Sequence, residues 1–137
     1  MNYLLDTSAW LAHFRQEAGG ERVQALFNDP EAEILLASLS LTEFARRMRD
    51  LGASRQEIGK TLTEYWQLFS RVIPVDEAVA LSAIEIASQT QRRLPLVDAI
   101  IAAAAESQDA CLVHRDEHIR AIAQDLIRQR DLDSPED

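Results

Sequence analysis

Short apolar runs alternate with stretches of helical periodicity along this chain. That alternation restricts it to an α/β architecture around a mostly parallel sheet. Tyr3–Leu5, Glu33–Ala37, Arg71–Val75 and Ala110–Val113 read as strands, and Leu126–Gln129 adds a fifth at an edge if it pairs. Helices are expected at Ala9–Phe14, Glu21–Phe27, Ser40–Leu51, Arg55–Ser70, Glu77–Thr90, Val97–Ser107 and Glu117–Ala123. Gly19-Gly20, Asn28-Asp29-Pro30, Gly52 and Pro95 punctuate the series. Ser54 and Asp76 stand where helix caps are needed. With 137 residues and 47% hydrophobic content, one domain with a full core is expected. That domain is placed at residues 1–130, followed by an acidic tail, 131–137, expected to fray.

Four carboxylates share one placement in this scheme. Asp6, Glu43, Asp98 and Asp116 each sit where a helix begins, at or near the end of an apolar run. In a parallel sheet such positions fall on the carboxyl edge, where ligands bind. Each acid also has a local reading. Ser40-Leu41-Thr42-Glu43 matches a capping box, Asp98 in a first turn suits the helix dipole, and Asp6 and Asp116 suit N-caps. Together they would repel strongly in a shared cleft unless a cation joined them. A hard divalent ion takes oxygen ligands, and such a site suits phosphodiester hydrolysis without a covalent nucleophile. No Ser–His–Asp relay is visible, and Cys111 lies inside a predicted strand.

Charge and composition narrow the classes further. The formal net charge of -9 argues against a general nucleic-acid binder, although bound cations would offset part of it. Thirteen of the fourteen cations are arginine, with clusters at Arg46, Arg47 and Arg49 and at Arg92 and Arg93. Arginine's planar fork suits phosphate. One cysteine allows no internal disulfide and fits a reducing, cytoplasmic setting. The start of the chain shows no basic-plus-apolar leader. Its longest apolar run, Ala99–Ala105, is far below the roughly 20 residues of a membrane span. A soluble protein without a membrane partner is expected.

The motifs that carry these acids resemble those of PIN-domain nucleases, in particular the VapC-type toxins of VapBC pairs. Leu4-Leu5-Asp6-Thr7-Ser8-Ala9-Trp10 resembles the first motif and Leu41-Thr42-Glu43-Phe44 the second. Leu94-Pro95-Leu96-Val97-Asp98-Ala99-Ile100-Ile101-Ala102-Ala103 resembles the third, and Cys111-Leu112-Val113-His114-Arg115-Asp116 the fourth. The resemblance runs over about residues 2–130. It implies a three-layer α/β/α fold with a central four- or five-stranded sheet. It implies an endoribonuclease dependent on Mg²⁺ or Mn²⁺, with Asp6, Glu43, Asp98 and Asp116 as catalytic and metal residues. It also implies a homodimer, an RNA substrate and a cognate antitoxin whose arginine would pair with the acids.

One departure stands out, because His114 occupies a place where the family usually carries a hydroxyl. An imidazole there would donate a similar bond but is larger and titrates near neutrality. It motivates the alternative of a PIN-like domain that binds metal or a partner without cleaving. His114 and His118 are four apart, yet a strand end and a helix do not present them as a helical zinc pair. A phospho-receiver module needs a lysine at a late strand end, and the only lysine is Lys60, in a predicted helix. Thr7 and Ser8 are candidates to orient Asp6. Tyr65, Trp66 and Phe69 follow the apolar stripe of their helix and read as core or dimer interface.

Overall fold

A computed structural model describes residues 1–135. Five strands, all parallel, form one sheet in the order β3-β2-β1-β4-β5. They are β1 (Asn2–Leu5), β2 (Glu33–Ala37), β3 (Arg71–Ile73), β4 (Cys111–His114) and β5 (Gln129–Asp131). Seven α-helices among the described residues connect them: α1 (Thr7–Phe14), α2 (Gly20–Asn28), α3 (Ser38–Asp50), α4 (Arg55–Trp66), α5 (Glu77–Gln89), α6 (Leu96–Ser107) and α7 (Glu117–Arg120). The chain adds strands outward from β1 to β3, then returns to place β4 on the other side of β1. The crevice between the carboxyl ends of β1 and β4 is therefore the switch point of the sheet.

Two apolar layers follow from the two faces of each strand. Tyr3, Leu5, Ile34, Leu36, Cys111 and Val113 pack on the layer that holds Trp10, Phe44, Tyr65 and Phe69. Leu4, Leu35 and Leu112 point the other way, onto α5 and α6. The alanines of α6, Ala99 and Ala102 to Ala105, are all buried, and their small side chains let that helix lie close to its neighbours. In the first layer Trp10 stacks on Phe44, with centroids 3.7 Å apart and planes 7° from parallel. Tyr65 and Phe69 meet Trp10 edge-on at 5.5 and 5.3 Å. Both belong to this core, while their neighbour Trp66 is 57% exposed.

Several element boundaries move, each for a local reason. α3 begins at Ser38, directly after β2, with Ala37 as its N-cap and no side-chain cap. Ser40 is thus inside the helix, so the expected Ser40–Glu43 capping box does not form. The box forms instead at Ser54 and Glu57, where each side chain bonds the other's backbone N–H. β3 stops at Ile73 because Pro74 has no N–H for the ladder. The edge strand lies at Gln129–Asp131, not at Leu126–Gln129, pairing Gln129, Arg130 and Asp131 with Leu112, Val113 and His114. Residues 131–134, placed by sequence in the acidic tail, are tied to the domain. Leu132 is buried and its N–H bonds the His114 carbonyl, while Arg22 donates to the carbonyls of Leu132 and Ser134. Of the remaining tail positions, 136 and 137 lie outside the described residues.

Gly19 and Gly20 let α2 turn back on α1. Gly19 adopts a φ of +91°, which L side chains rarely take. A Cβ on Gly20 would sit 2.6 Å from the Ala12 carbonyl oxygen, so the two helices touch backbone to backbone there. Gly59, within α4, has open space around it. Gly20→Ala should therefore lower unfolding free energy by about 1–3 kcal/mol. Gly59→Ala should raise it by about 1 kcal/mol through helix propensity. Urea denaturation of both variants checks the opposite signs.

Candidate active site at the sheet switch point

β1 delivers Asp6 to the switch point. The Asp6 N–H bonds the Val113 carbonyl of β4 at 2.9 Å, which fixes the residue at the seam between the strands. Its side chain caps α1 by accepting from the Ser8 N–H at 3.0 Å and from the Ser8 hydroxyl. That hydroxyl also accepts from the Arg115 N–H at 2.9 Å, joining the loop after β1 to the loop after β4. Asp116 caps α7, with Oδ1 accepting from the N–H groups of His118 and Ile119 at 2.7 and 3.3 Å. Asp98 stands in the first turn of α6. Glu43 stands in the second turn of α3, and the Thr7 hydroxyl donates to its Oε1 at 2.6 Å. Thr7 also lies 3.1 Å from the hydroxyl of the fully buried Ser40.

All four acids line one cleft of about 380 Å³, together with Thr7, Ser8, Leu11, Arg46, Arg47 and Asp50. Asp6 and Asp116 are thus helix caps and cleft residues at once. Burial, first, pushes the Asp6 carboxyl up from its ordinary 3.8 to about 6, and repulsion from Asp116 and Glu43 adds to it, although the Ser8 bonds oppose the rise. Asp98 is pushed to about 7, again chiefly by burial and then by Asp116, Asp6 and Glu43. Unless positive charge enters the cleft, Asp98 therefore keeps its proton up to near neutral pH and Asp6 up to about pH 6.

Two further residues stand with these acids: Asp50, in the cleft lining and not singled out from the sequence, and His118, beside Asp98 and Asp116 and weighed from the sequence only as a zinc partner of His114. Asp50 follows Glu43 by seven positions on α3, so two helical turns put both on one face, with Arg46 and Arg47 between them. That spacing was a usable signal. His118 brings Nδ1 to 3.3 Å from Asp116 Oδ1 and 3.8 Å from Asp98 Oδ2. One donor atom from each of Asp98, Asp116 and His118 lies within 4.8 Å of the others.

His114 does not take the role of a hydroxyl facing the acids. It is fully buried, and its Nδ1 accepts from the Asp116 N–H at 3.1 Å. Nε2 is then the protonated nitrogen, 2.7 Å from Gln129 Oε1, and Gln129 in turn donates to the Ile122 carbonyl. Burial lowers the imidazole below its ordinary value, so it stays neutral. His114 shapes the backbone that carries Asp116.

The PIN domain family model matches residues 3–125, a span that includes all four acids. No curated protein matches the sequence. Among solved structures, VapBC2 from Rickettsia felis, bound to a DNA fragment from its promoter, has a TM-score of 0.76 at 15% identity, covering 96% of this chain and 98% of that one. VapBC-1 from nontypeable Haemophilus influenzae gives 0.76 at 18% identity, covering 98% and 100%. Mycobacterium tuberculosis VapC20, a sarcin-ricin loop cleaving toxin, gives 0.68 at 17% identity, covering 87% and 93%. At such identities the likeness is one of fold. The family match, the switch-point cleft and the parallel three-layer architecture agree, and the chain belongs to the PIN domain family.

Proposed function

We propose that this protein is a divalent-metal-dependent endoribonuclease, the toxin of a toxin–antitoxin pair. The observation that carries the reading is the convergence of Asp6, Glu43, Asp98 and Asp116 in one cleft under mutual repulsion. The donor set fits a hard cation: carboxylate oxygens predominate, and a bound ion would offset the burial and repulsion that raise Asp6 and Asp98. Asp6, Glu43, Asp98 and Asp116 would hold Mg²⁺ or Mn²⁺. When bound, such an ion supplies the charge that a phosphodiester transition state needs and acidifies water.

The chain's own residues divide the remaining work. Thr7 and Ser8 fix the rotamers of Glu43 and Asp6. Arg46 and Arg47 line the same cleft, which supports a role in holding the phosphates of an RNA strand. Leu11 adds an apolar side chain to the cleft wall. A cleft with this much negative charge also suits an inhibitory arginine from an antitoxin. The VapBC neighbours are toxin–antitoxin assemblies, which supports that partner. Exposed Leu81 and Ile84 on α5 and Leu96 at the head of α6 support a homodimer. A cytoplasmic setting accords with the single free cysteine. Among the described residues no helix is long and apolar enough to cross a membrane. The reading of a non-cleaving domain was motivated by His114, and that residue lies behind Asp116, outside the cleft lining.

Cleavage of RNA with Mg²⁺ or Mn²⁺ should fall by about 100-fold or more in Asp98→Asn. Equal activity in variant and wild type would mark the cleavage as a contaminant's. The metal-free variant should melt higher than wild type at pH 8, because a repelled carboxylate has gone.

A second expectation concerns pH. Between the unfolded value of 3.8 and the folded values of about 6 and 7, the folded chain binds more protons than the unfolded chain. Raising pH through that window therefore lowers metal-free stability. Mg²⁺ or Mn²⁺ should raise the melting temperature more at pH 8 than at pH 5. At one hundred times its Kd a ligand contributes about 2.7 kcal/mol. Cleavage should rise over the same interval as Asp6 and Asp98 lose their protons, and a flat profile from pH 5 to 8 would contradict the site.

A further inference from the structure

We infer that His118 is a nitrogen ligand of the ion in this cleft and biases the site toward Mn²⁺ over Mg²⁺. The inference rests on the metal-site reading of the four acids and names a donor beyond them. An octahedral ion about 2.1 Å from its ligands holds adjacent ligand atoms about 3 Å apart and opposite ones about 4.2 Å apart. His118 Nδ1 stands 3.8 Å from Asp98 Oδ2, inside that range, and 3.3 Å from the α7-capping oxygen of Asp116, and one donor atom from each of the three residues lies within 4.8 Å of the others. Asp116 Oδ1 caps α7 with two backbone N–H bonds, which leaves Oδ2 of the same carboxylate as the oxygen available to an ion. Those same bonds anchor the first turn of α7 and so hold the His118 backbone at the cleft. Side-chain exposure is 40% for His118, 26% for Asp116 and 14% for Asp98, so the three form a graded wall open to solvent on the histidine side.

The chemistry of the donors sets the preference. Mg²⁺ demands oxygen ligands in near-ideal octahedral geometry and keeps much of its water. Imidazole nitrogen suits first-row transition ions, and of these two ions only Mn²⁺ is one. A site of oxygens alone discriminates little between the two ions; one nitrogen favours Mn²⁺.

The test uses the full chain, titrated calorimetrically with Mn²⁺ and with Mg²⁺, as wild type, His118→Ala, His118→Gln and Asp98→Asn. His118→Ala should weaken Mn²⁺ at least about ten-fold, the scale seen for residues that support a metal ligand set. Its Mg²⁺ affinity should change by less than about two-fold. Pulsed electron paramagnetic resonance of the Mn²⁺-loaded wild type should show coupling to a ring nitrogen, absent in both His118 variants. His118→Gln keeps a polar side chain of similar reach, so the spectroscopic result stands even if the alanine variant is poorly folded. Proportional weakening of both ions in His118→Ala overturns the assignment, as does a wild-type spectrum without nitrogen coupling. If Asp98→Asn binds both ions as wild type does, the metal-site reading itself fails, and this inference with it. Loss of binding in Asp98→Asn with unchanged Mn²⁺ affinity in His118→Ala removes the histidine alone.

Discussion

Drawing carboxylates out of water and against one another at one sheet edge sets the main demand that this fold has to meet. Four acids come together at the switch point of the sheet, each from a different anchor: the end of β1, the end of β4, the first turn of α6 and the second turn of α3. No single local preference would assemble them. The two apolar layers do so, because burying both faces of the sheet leaves its carboxyl edge in one place. The cost is then moderated by hydrogen bonds that favour the ionised acid. Asp6 takes two from Ser8, and Asp116 takes two from the α7 backbone. For Asp6 these bonds are outweighed by burial, and it remains an acid out of its ordinary range.

Capping and convergence were alternatives in the sequence and are one arrangement in the structure. An aspartate that ends a strand and begins a helix caps that helix with one oxygen and leaves the other available. Asp6 and Asp116 do this because the connections that carry them are so short. Glu43 reaches the cleft by the opposite route. α3 starts two residues early, Ser40 is drawn into the core, and the glutamate is released from capping to face Thr7.

What could be read beforehand was set by period and position. The strand series, the helices and the edge on which the acids fall all follow from apolar runs and turn residues. β5 could not be placed that way. Its residues, Gln129, Arg130 and Asp131, are polar, and their register is decided by hydrogen bonding to β4. His118 was hidden because its apparent partner, His114, faces into the protein. Only the turn after β4, which sends neighbouring histidines to opposite sides of Asp116, reveals which of them meets the acids. Asp50 was overlooked although the helical spacing from Glu43 was in plain view.

The Ser8 hydroxyl has a consequence for how such a cleft responds to an arriving ion. It gives its proton to Asp6 and receives one from the Arg115 backbone, so a single oxygen laces two loops that are distant in sequence. The aperture between β1 and β4 is thereby set during folding. A ligand entering such a cleft would meet walls already spaced and would have little conformational freedom to remove. The spacing of the Asp6 and Asp116 loops is thus a property of the scaffold, carried by one side-chain oxygen.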